Sequence, residues 1–185
     1  MHSRYKIVPS YSEMAKLVKK LRLEKKQIVL TQGSFDMVHI GHGRYLEKAK
    51  KHGDVLIVGV DSDKKIRVRK GPDRPIVPEK ERLEMLSFFA SVDYVVIKPL
   101  KAPKWQLIKI IKPDTLIATT DTYNQDQLKK LKQICGRVVV LPYQATTSTS
   151  AKLRRLQLGF VKRFSQLINA KIDKAVKEVL KEMKG

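Results

Sequence analysis

Two histidines three residues apart, His39 and His42, lie in the stretch TQGSFDMVHIGHGRYL, which follows a run of apolar β-forming residues. Glycines stand close by, with Gly33 before the histidines and Gly41 between them. Imidazole N–H groups can donate hydrogen bonds to an anion, and the first N–H groups of a helix favour negative charge. The spacing therefore predicts a phosphate site in a strand-to-helix turn, where a glycine lets the ligand approach the backbone closely.

Other uses of these histidines fit the sequence less well. Zinc needs three or four ligands, and only His2 and His52 remain, without a second cluster. A pair of core histidines inside a glycine-rich turn would be an odd way to build a core. The chain has neither GxxxxGK[ST] nor GxGxxG, so a P-loop and the usual dinucleotide fingerprint are both excluded.

The net charge is the most prominent global feature. The 185 residues carry 39 lysines and arginines against 18 acidic residues, which gives +21 at pH 7. Such a field attracts nucleic acid, an anionic membrane surface or phosphorylated small molecules, although a lysine-rich solvated surface would look the same. Charge alone leaves these alternatives open.

The rest of the composition indicates a soluble chain with one main core. At 42% hydrophobic the chain can bury such a core, yet no apolar run is long enough to span a bilayer. The first residues lack the apolar centre of a signal peptide. Cys135 has no internal partner and lies in an apolar context, so we expect a buried thiol in a reducing compartment, the cytoplasm.

Short apolar runs alternate with amphipathic segments along most of the chain. The strands are predicted at Gln27–Thr31, Asp54–Val60, Asp93–Ile97, Asp114–Ala118 and Arg137–Leu141, with helices between them and a basic, proline-containing loop at Lys64–Pro78. Nearly continuous apolar strands indicate an α/β fold, a doubly wound five-stranded parallel sheet. Ligands bind such sheets beyond the carboxyl ends of the strands, where the histidine turn would lie.

The last quarter of the chain differs from the rest. From Ser148 onward no strand is predicted, and the pattern indicates one long helix or two shorter ones, with breaks at Gly159 or Asn169. The stretch Lys152–Lys184 carries ten basic and three acidic side chains. Its apolar stripe could pack on the core, form a dimer or hold an anionic partner. We therefore predict a main domain over residues 1–156 and a basic amphipathic helical extension over 157–185.

The motif GSFDMVHIGH resembles the GxFDxxHxGH signature of the cytidylyltransferase-like nucleotidyltransferases. Further stretches, namely KGPDRPIVPEKERLEML, VDYVVI, IKPDTLIA, GRVVVLP and STS, are similar in order and spacing to the adenylyltransferases that make ADP-heptose from a heptose 1-phosphate. The resemblance covers about Tyr5 to Leu156. It implies a Rossmann-like fold, a homodimer and a nucleotidyl-transfer activity.

The resemblance also assigns roles by position. It implies that the catalytic residues are His39, His42 and Lys70. It implies that the nucleotide is bound by Gly33, Ser34, Phe35, Asp36, Gly41, Asp61, Arg74, Asp121, Ser148, Thr149 and Ser150. Mg²⁺ would be carried by the NTP phosphates, with no protein-only metal site. Independently, the serines and threonine before KLRRL look like a helix N-cap, with a plain cap lacking any ligand as the alternative.

The implied reaction joins an NTP and a phosphorylated small molecule and releases pyrophosphate. ATP and a sugar 1-phosphate are favoured. CTP is possible, with glycerol, choline or ethanolamine phosphate as the acceptor, and so is the adenylylation of FMN. The stretch ATTDTY departs from the Lys-Gly-Gly-Asp-Tyr of the heptose enzymes, and QATTSTS lacks the arginine of the cytidylyltransferases. The rival from another class is a nucleic-acid-binding protein on an inactive nucleotidyltransferase scaffold.

Overall fold

The computed structural model describes residues 6–120, 122–144 and 149–183, with the side chains of 153–180 and 183 in the last helix. The chain divides into two compact units, residues 1–146 and 147–185. The elements in chain order are β1 (Ile7–Val8), α1 (Tyr11–Leu23), β2 (Ile28–Gly33), α2 (Ile40–Lys50), β3 (Val55–Asp61), α3 (Asp63–Lys70), α4 (Glu79–Ser87), β4 (Tyr94–Lys98), α5 (Gln106–Ile111), β5 (Thr115–Thr119), α6 (Gln125–Leu131), β6 (Arg137–Leu141) and α7 (Thr149–Glu182).

The first unit is built on one parallel sheet with the strand order β1-β4-β3-β2-β5-β6. Strand β2 lies at the reversal of this order, since Val29 pairs with Leu56 of β3 on one side and with Thr115 of β5 on the other. The predicted Rossmann-like, doubly wound α/β class is confirmed. The sheet has six strands instead of five because Ile7–Val8 pairs with β4, and a strand of two residues leaves no periodicity to read in the sequence.

Strand β3 shows how the sheet is covered on both faces. All seven of its residues are buried. Ile57 packs with Met14 of α1 on one face, whereas Leu56 and Val58 pack with Leu46 of α2 on the other. Successive side chains of a strand point to opposite faces, so a strand covered on both faces is apolar along most of its length, and only the last residue of β3, Asp61, is charged.

Carboxylates fasten the strands together at the amino-terminal edge of the sheet. Asp114 accepts a hydrogen bond from the N–H of Ile28 at 2.6 Å and an ion pair from Arg22 at 2.6 Å. Asp93 accepts from the N–H of Leu56 at 2.6 Å. These contacts hold neighbouring strands in register at the edge opposite to the histidine turn, which leaves the carboxyl edge to bind a ligand.

One helical segment of the first unit differs from the sequence prediction. Half of the basic stretch predicted as a loop is α3, because Ser62 caps it and Ile66 is fully buried beneath it. Only residues 71–78 connect α3 to α4.

No helix in the part of the chain that the structure describes combines the length and apolar composition required to cross a bilayer.

The second unit contains α7, which continues without interruption through both predicted breaks, Gly159 and Asn169. It starts before residue 157, where the sequence predicts the extension to begin. Large apolar side chains recur along it and are exposed, among them Phe164, Ile172 and Val176.

Candidate active site

The turn after β2 has an unusual backbone. Phe35 and Met37 both adopt positive φ angles, 50° and 51°, which bulky residues rarely do. Phe35 is nevertheless buried, and a Cβ at Gly33 would lie only 3.0 Å from its ring. A side chain at position 33 would therefore crowd the Phe35 ring, which would have to shift by a few tenths of an ångström. Strain of this kind is commonly held at functional sites by the surrounding structure.

The two histidines cap helix α2 reciprocally. His39 is the N-cap residue, and its Nδ1 accepts a hydrogen bond from the N–H of Gly41 at 3.1 Å. The Nδ1 of His42 accepts from the N–H of His39 at 3.2 Å. An Nδ1 that accepts carries no proton, so the proton of each neutral ring is on Nε2. Both rings are thus held in the tautomer that offers an Nε2–H donor.

These donors are adjacent and lie at the start of a helix. The centroids of the two imidazole rings are 4.2 Å apart, and the ring of Phe35 lies 5.6 Å from that of His42. Both histidines are partly exposed. Two neighbouring imidazoles at a helix N-terminus, beyond the end of β2, form a site suited to a phosphate group.

Asp36 organises the loop after α3. Its buried carboxylate accepts hydrogen bonds from the N–H groups of Ile76 and Val77 at 3.0–3.1 Å and pairs with Arg74 at 2.6 Å. Asp36 and Arg74, which the resemblance places in the nucleotide site, are therefore joined to each other. Contact with a nucleotide remains a prediction for both. Lys70 lies near them at the end of α3, where desolvation and then repulsion from the neighbouring arginines lower its pKa.

Arg82 connects the segments of the carboxyl edge and was not among the residues predicted from the sequence. Its side chain is fully buried on α4. It donates to the backbone carbonyls of Ser34, Asp61 and Val77, the last two at 2.9 Å, and to the Asp63 carboxylate at 2.7 Å. The available signal was a charged residue on the apolar side of a helix. This signal is weak, because the sequence alone does not distinguish a buried arginine from a solvated one.

A buried carboxylate surrounded by cations ends β3. Asp61 is 1% exposed and pairs with Lys98 at 3.0 Å, with Arg69 at 3.0 Å and with Lys65 at 3.8 Å. Burial lowers the pKa of Lys98, and the attraction of Asp61 offsets part of this shift. Arg69 also donates to the Ser34 hydroxyl at 2.7 Å, which links the cluster to the histidine turn. Of these four residues, only Asp61 was predicted from the sequence to lie in the site.

A cavity of about 220 Å³ opens beside this cluster. Its lining includes Gln32, Asp61, Lys98, Trp105 and Tyr123. Gln32 donates to the hydroxyl of Tyr123 at 3.3 Å, and burial raises the pKa of that tyrosine. Trp105 has a left-handed backbone with a φ of 62°.

Some predicted residues lie outside these contacts. Asp121 and Ser148 fall outside the described residues, and Thr149 and Ser150 are described only as the helical backbone at the start of α7. Their nucleotide contacts stay predictions. Within the ranges that the structure describes, no group of three histidine, cysteine or acidic residues could hold a metal ion. The Asp61 carboxylate, which is surrounded by cations, would be a poor metal ligand.

The parallel sheet, its reversal at β2 and the paired histidines at a helix N-terminus define a nucleotide-binding α/β protein of the HxGH kind. The chain matches the Cytidylyltransferase-like family over residues 30–179. It belongs to that family, and its identification as a nucleotidyltransferase is confirmed.

Curated relatives agree with this assignment. The chain is 39% identical over 150 residues to the Bifunctional protein HldE of Nitratiruptor sp., covering 81% of this chain and 32% of the relative. It is 37% identical over 149 residues to the protein of the same name from Helicobacter pylori, covering 80% of this chain and 32% of that one. The chain thus spans about a third of the length of these relatives.

Solved structures share the fold. A lipopolysaccharide core biosynthesis protein from Thermoplasma volcanium is 29% identical, with a TM-score of 0.54, and the match covers 64% of this chain and 96% of that one. A pantoate-beta-alanine ligase from Francisella tularensis is 18% identical with a TM-score of 0.57, over 78% of this chain and 68% of that chain. The second likeness shows the fold alone.

Proposed function

We propose that this protein transfers AMP from ATP to the phosphate group of a sugar 1-phosphate and releases pyrophosphate. The observation that carries the proposal is the reciprocal cap of His39 and His42, which places two neighbouring imidazoles at the start of α2 and leaves Nε2 as the protonated nitrogen of each neutral ring. The resemblance to ADP-heptose-forming enzymes favours adenine and a sugar acceptor. The name of the Thermoplasma relative, a lipopolysaccharide core biosynthesis protein, is consistent with a sugar substrate.

The chemistry requires little covalent participation by the protein. An oxygen of the acceptor phosphate forms a bond to the α-phosphorus of ATP as the bond from that phosphorus to the bridging oxygen breaks, and pyrophosphate leaves with the electron pair. Charge builds on the phosphoryl oxygens, where preorganised donors are worth most. His39, His42 and Lys70 would supply this neutralisation, and Mg²⁺ would enter bound to the NTP phosphates.

Other acceptors and nucleotides stay open as alternatives. CTP with a glycerol, choline or ethanolamine phosphate, or ATP with FMN, would use the same histidines. The base and the acceptor are chosen by side chains away from the cap. A homodimer and a cytoplasmic location, both expected from the sequence analysis, stay predictions, and sedimentation equilibrium of the purified chain would test the first.

The test is pyrophosphate release by the purified chain with each of the four NTPs, Mg²⁺ and a panel of sugar phosphates, alditol phosphates and FMN. We expect release with ATP and a sugar 1-phosphate, and loss of release in His42→Ala. Turnover only with CTP or only with FMN would replace the proposed substrates by an alternative. No turnover with any pair would overturn the activity.

A second candidate function is favoured by the net charge of +21. An inactive scaffold that binds nucleic acid would show affinity for RNA or DNA that falls steeply with salt, because bound lysines and arginines release counterions. That affinity would survive in His42→Ala, with no pyrophosphate release in either protein. Turnover that depends on His42 would exclude the hypothesis of an inactive, nucleic-acid-binding scaffold.

A further inference from the structure

We infer that Lys65, Arg69 and Lys98, gathered around the buried Asp61, form a separate subsite for the phosphate group of the acceptor. This inference rests on the proposed function in so far as it names the acceptor's phosphate as the ligand. The geometry of the subsite stands independently of that reaction.

The charges of the cluster leave a surplus for an anion. Three cations converge on one carboxylate, which gives a formal charge of +2. Asp61 is almost fully buried and the side chain of Lys98 is only 15% exposed, so these two charges are largely removed from solvent, whereas the side chain of Arg69 is 53% exposed at the rim. Burying charge is costly without compensation, and a dianionic phosphate would neutralise this excess.

The strand order separates this cluster from the site of the histidines. Asp61 ends β3 and Lys98 ends β4, whereas His39 and His42 begin the helix that follows β2. Arg69 bridges the two regions, since it pairs with Asp61 at 3.0 Å and donates to Ser34 at 2.7 Å. Nucleotidyl transfer brings together two phosphorylated molecules, and in-line attack requires the acceptor phosphate to reach the α-phosphorus from the side opposite to pyrophosphate. Neighbouring but distinct phosphate subsites meet that requirement.

The cavity beside the cluster suits a small hydroxylated molecule. Its volume of about 220 Å³ is smaller than that of most drug-sized pockets. Tyr11, Gln32 and Tyr123 line it and provide hydroxyl and amide groups, and Trp105 adds an aromatic surface. These groups can donate to and accept from sugar hydroxyls while the cations hold the phosphate.

The test compares Lys98→Met with Lys101→Met, which removes the same charge from an exposed position three residues away. In Lys98→Met, Asp61 keeps its pairs with Arg69 and Lys65, so the fold should survive. Binding of inorganic phosphate is measured by calorimetry at constant ionic strength, and ATP binding is measured separately. We expect Lys98→Met to weaken phosphate binding about tenfold or more, Lys101→Met to leave it unchanged, and ATP affinity to stay within about twofold in both.

With the acceptor found in the activity panel, Lys98→Met should raise the KM for that acceptor and leave the KM for ATP unchanged. Unchanged phosphate binding in Lys98→Met would overturn the subsite without touching the proposed function. Equal weakening of phosphate and ATP would assign the cluster to the nucleotide and overturn it as well. Loss of turnover with an intact, Lys98-dependent phosphate site would instead count against the proposed function. If Lys98→Met fails to fold, Lys65→Met provides the same comparison, because Lys65 also pairs with Asp61, at 3.8 Å.

Discussion

The backbone N–H of His39 donates a hydrogen bond to Nδ1 of His42 at 3.2 Å, while the ring of His39 accepts one from Gly41. The motif thus does two things with the same rings. Each Nδ1 accepts a hydrogen bond from a backbone N–H at the start of α2, where the first four N–H groups of a helix lack a partner within the helix. The proton of each neutral ring is then on Nε2, which can donate a hydrogen bond to a phosphate oxygen. The cap fixes the chemistry because it fixes the tautomer.

Substitutions at His39 separate these two roles. Asparagine is a good N-cap residue, so His39→Asn should keep the stability of the wild type, whereas His39→Ala should lose about 1 kcal/mol. Both should lower the rate of pyrophosphate release about 100-fold or more, because neither supplies the imidazole donor. Urea unfolding and the release assay measure the two effects. An asparagine variant with wild-type turnover would show that capping alone is the role of His39.

Arg82 should be needed for the shape of the carboxyl edge. Arg82→Met would leave the carbonyls of Ser34 and Asp61 without their donor and Asp63 without its partner. We expect a loss of about 3 kcal/mol in the free energy of unfolding, measured by urea denaturation. The exposed Arg67 on α3 is the control, since Arg67→Met should change stability by less than about 0.5 kcal/mol. Similar losses in the two variants would contradict the connecting role.

Lys70 should impose an alkaline limit on activity. Its pKa is lowered by desolvation and by neighbouring arginines, so kcat/KM for the NTP should fall as pH rises through a value below that of an ordinary lysine. Between the two pKa values the unfolded chain binds more protons than the folded one, so this group's contribution to stability rises with pH and unfolding does not cause the fall.

Arginine stays charged across this range, so Lys70→Arg should move the fall in kcat/KM to higher pH. The same change at the exposed Lys80 should leave the pH dependence of kcat/KM unchanged. A profile that does not respond to Lys70→Arg would remove Lys70 from phosphate binding.

Cys135 should be a poor nucleophile in the native protein. It is 5% exposed, and burial raises its pKa to about 11. At pH 8 the thiolate fraction is then about 100-fold lower than for an ordinary cysteine. Alkylation by iodoacetamide, followed by mass spectrometry, should therefore be slower by at least that factor than in urea. Equal rates in buffer and in urea would show that the thiol is accessible.

The order and type of the main elements could be read from local patterns. Ser10 and Asn124 cap α1 and α6 and are of the residue types that favour helix starts, and the buried strand β3 lies where a continuous apolar run predicts it. Helix α3 was missed because its lysines, arginines and valine form no clear apolar stripe, with only Ile66 buried. Tertiary packing of one side chain decided that segment.

By itself the sequence determined the parallel sheet, the histidine turn and its position at the carboxyl ends of the strands. These features follow from the periodicity of apolar residues and from the chemistry of residues that are close together in the sequence. Only the tertiary structure decided that Arg82 joins three segments and that Lys98 meets Asp61, which lies 37 positions away. The sequence does not distinguish a solvated lysine or arginine from one that is buried against a carboxylate. The environment of such a side chain is formed by strands and helices that are distant in the chain.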